Sequence, residues 1–234
     1  MKNKTYFWSV VFAISMGFFE SAVVIYLRKI AYPSGFAFPL QPLSSDLATI
    51  EIFREVFSLV MLYSVSALLG KRSMERFGWF IFNFAIWDIF FYIFLFILSG
   101  WPESPFTMDL LFLIPVVWTG PVLAPIILSG LMIFLGILII NFSQRIRYLS
   151  FRAKEFLFLS LGSLVCLVSF TLDYILFLKG GTTGKQFVPD RFNWIIFGLG
   201  ALSILIGILF FFFNNKKSKR TLFDTITLRH KGTF

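Results

Sequence analysis

Long apolar stretches, separated by short polar connections, make up most of the chain. They lie at roughly residues 6–27, 47–70, 78–99, 121–141, 156–178 and 193–213. A helix that crosses the hydrocarbon core of a bilayer needs about twenty consecutive, mostly apolar residues. The pattern therefore predicts an all-α integral membrane protein, folded as a bundle of six transmembrane helices.

The first apolar stretch follows a short basic start and could be mistaken for a signal peptide. It continues to Leu27, however, and contains an acidic residue, Glu20. A signal peptide has a shorter apolar region followed by a cleavage site with small residues. We therefore expect an uncleaved first transmembrane helix.

The chain divides into a transmembrane domain, residues 1–214, and a basic tail, residues 215–234. We expect the tail to lie close to the membrane, where anionic lipid attracts Lys and Arg. The sequence shows no convincing internal repeat, so symmetry gives no support for an inverted-repeat transporter.

The distribution of Lys and Arg predicts the orientation. Fifteen of them lie in the N-terminus, residues 71–77, residues 142–155 and the tail, whereas the alternate connections hold five. Loops rich in Lys and Arg stay in the cytoplasm. Both termini are therefore predicted to be cytoplasmic, with three two-helix hairpins that open outward.

The segment between the third and fourth stretches is apolar but too short to cross a membrane. Residues 107–115 begin with a plausible helix N-cap, Thr107, and predict a half-helix or a re-entrant piece. Three prolines between positions 115 and 125 then release backbone groups that lipid cannot satisfy. This broken backbone either lines a cavity or forms an interfacial elbow anchored by Trp101 and Trp118.

Another outward connection, residues 32–40, combines turn residues with apolar ones. We expect it to fold back over the helix ends, because an apolar segment of this kind gains from leaving water.

Several apolar stretches contain charged residues, which are costly in a bilayer and usually have a partner or a function. We assign these residues as the candidate ligand- or ion-binding set. They are Glu20 in the first stretch, Glu51, Arg54 and Glu55 in the second, Asp88 in the third and Asp173 in the fifth. Asp88 lies near mid-membrane and the others in the outer half. Candidate cavity-lining residues are Tyr92, Asp109 and Trp118.

Helical spacing places these residues on defined faces. In the second stretch Glu51, Arg54, Glu55 and Ser58 follow an i, i+3, i+4, i+7 pattern and form one polar stripe. Asp88 shares a face with Tyr92, and Asp173 shares one with Ser169. In the first stretch a small residue recurs at every fourth position, which allows a neighbouring helix to approach closely. These small residues are Ser9, Ala13, Gly17 and Ser21, and Glu20 lies on their face.

The five acidic residues of the candidate set outnumber its one basic residue, Arg54. A low-dielectric bundle does not tolerate four uncompensated negative charges. Some carboxyls should therefore be protonated, paired with Arg28, or neutralised by a bound cation. This favours proton- or cation-linked transport, or the binding of a small solute. The alternative is an accessory or assembly subunit of a membrane complex, in which the acids serve packing.

Composition removes several other classes of function. The chain is 58% hydrophobic and 20% aromatic, and its net charge of +9 comes from residues beside apolar stretches, which argues against a nucleic-acid partner. A single cysteine, Cys166, gives no disulfide framework, and a single histidine, His230, excludes histidine zinc sites, bis-histidine haem and His-dependent hydrolases. We predict no cofactor, no metal site and no assigned catalytic residue. An intramembrane enzyme with an Asp88–Asp173 pair is a further alternative.

Two groups of motifs resemble those of a known protein family. One runs from Trp87-Asp88 through Gly100-Trp101-Pro102 to the segment 109–125, and the other from Tyr26-Leu27-Arg28 to residue 40. Together they resemble an uncharacterised family of bacterial multi-pass membrane proteins. The resemblance implies the bacterial cell inner membrane and assigns no activity or functional residue.

Overall fold

The computed structural model describes residues 2–33, 35–40, 44–146, 148–180, 186–189 and 192–231, with side chains described for residues 3–216 within these ranges. Part of the charge pattern that predicts the orientation lies outside the described side chains. This part comprises Lys2, Arg147, Lys185, Arg191 and the basic residues from position 217 onward.

The described residues form six long helices, one for each apolar stretch. They are α1 (Lys2–Ala31), α2 (Ser45–Leu69), α3 (Ser73–Ser99), α4 (Leu123–Ser143), α5 (Ala153–Lys179) and α6 (Trp194–Lys231). All six are long and apolar enough to cross a membrane. The predicted all-α six-helix membrane bundle is confirmed. Within the described side chains, the candidate span of α6 covers Trp194–Lys216, and the helix itself runs to Lys231.

The segment between α3 and α4 was predicted as a half-helix or a re-entrant piece, and the helical form is wrong, because this segment is a β-hairpin. Strand β1 (Met108–Phe112) pairs antiparallel with β2 (Trp118–Pro121). A short apolar run gives no periodicity that separates a strand from a helical turn. Pairing between the two strands satisfies backbone groups within the protein, as a membrane-embedded segment requires.

Helix α1 packs against α3 through the predicted small-residue face. A Cβ atom at Gly17 would lie 3.0 Å from the Phe91 nitrogen and the Trp87 oxygen, both of them backbone atoms. Ser21 Oγ donates a hydrogen bond to the Phe91 carbonyl at 2.8 Å. The two backbones therefore touch, as the spacing of small residues predicts.

A buried polar cluster joins α1, α2 and α3 nearer the other end of the bundle. Ser9 Oγ donates to Asn83 Oδ1, and Asn83 Nδ2 donates to Ser66 Oγ at 3.1 Å. All three side chains are buried. Hydrogen bonds of this kind hold membrane helices together where lipid offers no partner.

The bundle is built from contacting helix pairs. Close glycine contacts join α3 to α4 and α5 to α6. The α5–α6 pair meets the rest of the molecule mainly where α6 contacts α4 and where α5 contacts β2. We call the end where α1, α3 and α5 finish the hairpin end, because the β-hairpin lies there between α3 and α4.

Candidate binding cavity at the hairpin end

A cavity of about 860 Å³ lies at the hairpin end, with walls from α1 to α5 and from the β-hairpin. Most of the candidate binding set lines it, from three different helices. These residues are Glu20, Glu51, Arg54, Glu55 and Asp88, and they are joined by the candidate lining residues Tyr92 and Trp118. The segment around Pro115 also lines the cavity, in agreement with the cavity-lining alternative for the broken backbone.

Arg54 holds two carboxylates from two helices. Its Nε and Nη2 atoms both lie 2.8 Å from Glu51 Oε2, one helical turn away on α2. Its Nη1 atom forms an ion pair with Glu20 of α1. Ser58 Oγ donates to the other oxygen of Glu20 at 3.0 Å. The polar stripe of α2 therefore meets the acidic position of α1, which explains how this charge is accommodated in an apolar bundle.

Glu55 connects α2 to the turn of the β-hairpin. Its two carboxylate oxygens accept hydrogen bonds from the Leu113 backbone N–H at 3.0 and 3.1 Å. Leu113 directly follows β1, so this contact fixes the turn over the cavity. Hydrogen bonds from a backbone N–H to a carboxylate are among the stronger ones in proteins.

Asp88 lies on α3, and its side chain is directed towards α4. Ser129 Oγ donates to Asp88 Oδ2 at 2.7 Å, and the Asp88 residue is only 9% exposed. Within the described part of the chain, neither Asp88 nor Glu55 forms an ion pair with a Lys or Arg. These two carboxylates are the acidic groups of the cavity whose charge remains uncompensated by direct contact.

Arg28, at the end of α1, contacts residues of the neighbouring connections and of the β-hairpin. Its Nη2 atom lies 2.6 Å from Asp109 Oδ1 of β1. The guanidinium carbon lies 4.2 Å from the ring centre of Phe36 and 4.0 Å from that of Trp101. Cation–π contacts with two rings and an ion pair together hold the connection after α1, the end of α3 and the hairpin. The described residues of the predicted connection, 32–33 and 35–40, thus lie over the helix ends, as predicted.

Asp109 is completely buried and does not line the cavity, although it was a candidate lining residue. Its side chain turns to Arg28 instead. Burial raises the pKa of Asp109 above its ordinary value, and Arg28, the Leu110 N–H and the Tyr92 hydroxyl oppose the shift. Asp109 therefore belongs to the group of residues that contact Arg28, beside the cavity.

Asp173 is not brought into the cavity either. The residues of α5 that line it are Phe170, Tyr174 and Leu178, at intervals of four. Because each residue turns a helix by about 100°, Asp173 lies beside this face. The structure therefore does not bring Asp88 and Asp173 together at this cavity, as an aspartyl pair would need.

The remaining wall of the cavity is largely aromatic and aliphatic. Phe84, Trp87, Phe91 and Phe112 contribute to it. Trp87 is 5% exposed, and its indole N–H has no hydrogen-bond partner among the described residues. A buried indole N–H normally has such a partner. Apart from the charged residues, the wall of the cavity is largely apolar.

Three contributors to the site were not predicted. Ser129 is a single hydroxyl in an apolar stretch, and only the contact between α3 and α4 reveals its role. The Leu113 N–H is a backbone group with no signal in the sequence. Trp87 resembled the lipid-facing aromatic residues around it. No group of three or more His, Cys, Asp or Glu side chains that could hold a metal ion occurs among the described residues.

Comparison of the chain with family models, with curated proteins and with solved structures finds no match. The function is therefore argued from the cavity itself.

Proposed function

We propose that this membrane protein binds a small cationic solute in the cavity at the hairpin end, and that it transports this solute in a process linked to protons or cations. The observation that carries the proposal is the charge of the cavity. The cavity is lined by four carboxylates, Glu20, Glu51, Glu55 and Asp88, together with Arg54 and Arg28. Since Arg28 is paired with Asp109, three negative charges remain when all the acids are ionised.

A purely structural role accounts for only part of this set. The ion pairs of Arg54 account for Glu20 and Glu51, which share this one positive charge between them. Glu55 and Asp88 face the same cavity with hydrogen bonds, but without an ion pair to any described Lys or Arg. A carboxylate in such surroundings gains a proton or a cation, and exchange between the two would link solute binding to protons.

The proposed location is the bacterial inner membrane, with both termini in the cytoplasm and the cavity open to the outside. The support is the excess of Lys and Arg at the end of the bundle opposite the hairpin. Electrostatic attraction of cations into an acidic cleft would then favour uptake from the outer side.

Binding and uptake of a simple amine test this proposal. Purified protein in proteoliposomes is offered radiolabelled butylamine, and release of protons on binding is followed with a pH dye. We expect Glu55→Gln and Asp88→Asn each to weaken binding at least about tenfold, as the loss of one buried charge contact implies. Glu103→Gln, which changes an exposed carboxyl, is the matched control. Equal binding by all variants would show that neither carboxylate takes part in binding the amine.

A further inference from the structure

A second space adjoins the acidic cavity and differs from it in chemistry. It is a groove of about 410 Å³ between the α3–α4 pair and α5. Its walls are almost entirely apolar, with Leu131 and Leu135 on one side and Leu159 and Leu167 on the other. The charged residues of the candidate set do not line it.

The groove and the cavity share part of their walls. Trp118, Leu128, Met132 and Phe170 line both. The Trp118 and Phe170 rings are stacked, with centres 6.1 Å apart and planes 12° apart. The two spaces therefore adjoin along this wall, and a ligand that extended past these side chains would occupy both.

The groove opens sideways from the bundle. Ser160 and Ser163 on its α5 wall are exposed, and Phe156 at its edge is 63% exposed. These residues lie in a membrane-spanning helix, whose outer surface faces lipid. The groove is therefore exposed on its lipid-facing side and adjoins the acidic cavity along the shared wall.

We propose that the ligand is an amphiphilic cation, with its ammonium group at Glu55 and Asp88 and its hydrocarbon chain in the groove. This inference rests on the proposed function and narrows its ligand class. Charge complementarity indicates a cationic head group, because the cavity has an excess of carboxylates. The apolar groove, which shares a wall with the cavity, is suited to the hydrocarbon chain.

Three small molecules separate head-group binding from chain binding. Octylamine, butylamine and octanol are compared by equilibrium dialysis against the protein in nanodiscs, with empty nanodiscs subtracted. Burial of one methylene strengthens binding by up to about fourfold. We therefore expect octylamine to bind at least about tenfold more tightly than butylamine, and octanol to bind much more weakly than octylamine.

A matched pair of variants tests whether the chain lies in the groove. Ser163→Phe fills the groove from its exposed wall, whereas Leu164→Phe places the same ring at the next position, which does not line the groove. We expect Ser163→Phe to weaken octylamine binding at least about tenfold and to leave butylamine binding unchanged. Retained butylamine binding also shows that the variant is folded. Leu164→Phe should behave as the unmodified protein.

The outcomes distinguish this inference from the proposed function. Equal affinities for octylamine and butylamine, or octanol binding as tight as octylamine binding, would overturn the amphiphile and leave the small-cation proposal standing. Unchanged octylamine binding by Ser163→Phe, or an equal loss with Leu164→Phe, would overturn the groove as the chain site. If neither amine binds, the proposed function itself fails.

Discussion

Arg54 links acidic side chains of two helices in the bundle. It is the only Lys or Arg within the six predicted apolar stretches, and it contacts Glu20 of α1 and Glu51 of α2. Its side chain is 19% exposed, so water screens these pairs only in part. Removal of one member of a buried ion pair leaves an uncompensated charge, which is more damaging than the loss of the pair as a whole.

Arg54→Gln should therefore destabilise the protein by about 3 kcal/mol, the lower part of the range for broken buried pairs. The free energy of unfolding is measured by titration with sodium dodecyl sulfate in mixed micelles. The double variant Glu20→Gln with Arg54→Gln should be more stable than Arg54→Gln alone, because it has one buried carboxylate fewer without a cationic partner. A single variant as stable as the unmodified protein would show that these pairs contribute nothing to the fold.

Asp109 predicts a pH dependence at the hairpin end. Because burial raises its pKa, the folded protein holds this proton over a pH range in which the unfolded chain has already lost it. The range extends upward from the ordinary aspartate value of about 3.9 to the raised pKa. Over this range the folded state binds more protons, so the free energy of unfolding falls as the pH rises.

The comparison with Asp109→Asn isolates this effect. The stability of the unmodified protein, relative to that of the variant, should decrease as the pH rises from below about 4 through the raised pKa. Thermal unfolding midpoints across a pH series provide the measurement, and Glu103→Gln is the exposed-carboxyl control. A relative stability that increases with pH would mean that the ion pair with Arg28 outweighs burial.

Among the structural elements, the close α1–α3 contact depends on a single glycine. A side-chain carbon at Gly17 would meet backbone atoms of Phe91 and Trp87, which cannot turn away as a flexible side chain can. Gly130 of α4 is a matched helical glycine whose Cβ position is open. The two positions therefore differ in packing and share the same helix propensity.

We expect Gly17→Ala to destabilise the protein by about 1–3 kcal/mol, as overpacking of a tight interface does. Gly130→Ala should be neutral or stabilise by up to about 1 kcal/mol, because alanine favours the helix. Unfolding in sodium dodecyl sulfate again reports both values. Equal effects at the two positions would contradict the close contact and leave helix propensity as the explanation.

The elements differ in how far the sequence reveals them. Membrane helices follow from length and hydrophobicity, which lipid imposes on every residue of a span, so all six were predictable. The β-hairpin was not, because residues 108–112 form a short apolar run whose pairing partner, residues 118–121, lies across a turn. Strand pairing is a contact between segments, and neither segment encodes it alone.

Across the whole molecule, the same distinction separates the site residues. The polar stripe on α2 and the acidic position on α1 follow from helical spacing and the cost of charge in lipid, and both line the cavity. The partners of these residues depend on which helices meet. Ser129 and the Leu113 N–H were therefore missed, and Asp109 and Asp173 were placed at a cavity that they do not line.

Orientation is a property of the whole molecule on which the proposed function depends, because it sets the side of the membrane from which the proposed solute would enter the cavity. Two exposed serines mark the ends of the bundle: Ser104 at the hairpin end and Ser150 between α4 and α5 at the other. Replacement of the sole cysteine, the buried Cys166, with alanine gives a background for single-cysteine labelling. Ser104→Cys and Ser150→Cys are then a matched pair.

We expect a membrane-impermeant maleimide to label Ser104→Cys in right-side-out membrane vesicles, and to label Ser150→Cys only after permeabilisation. The physical reason is the positive-inside rule: in the sequence, the N-terminus, residues 71–77, residues 142–155 and the tail hold fifteen Lys and Arg, and the alternate connections hold five. The opposite labelling pattern would mean that the acidic cavity opens to the cytoplasm. Its carboxylates would then attract cations from inside the cell, and the same charge that suggests uptake would instead suggest export.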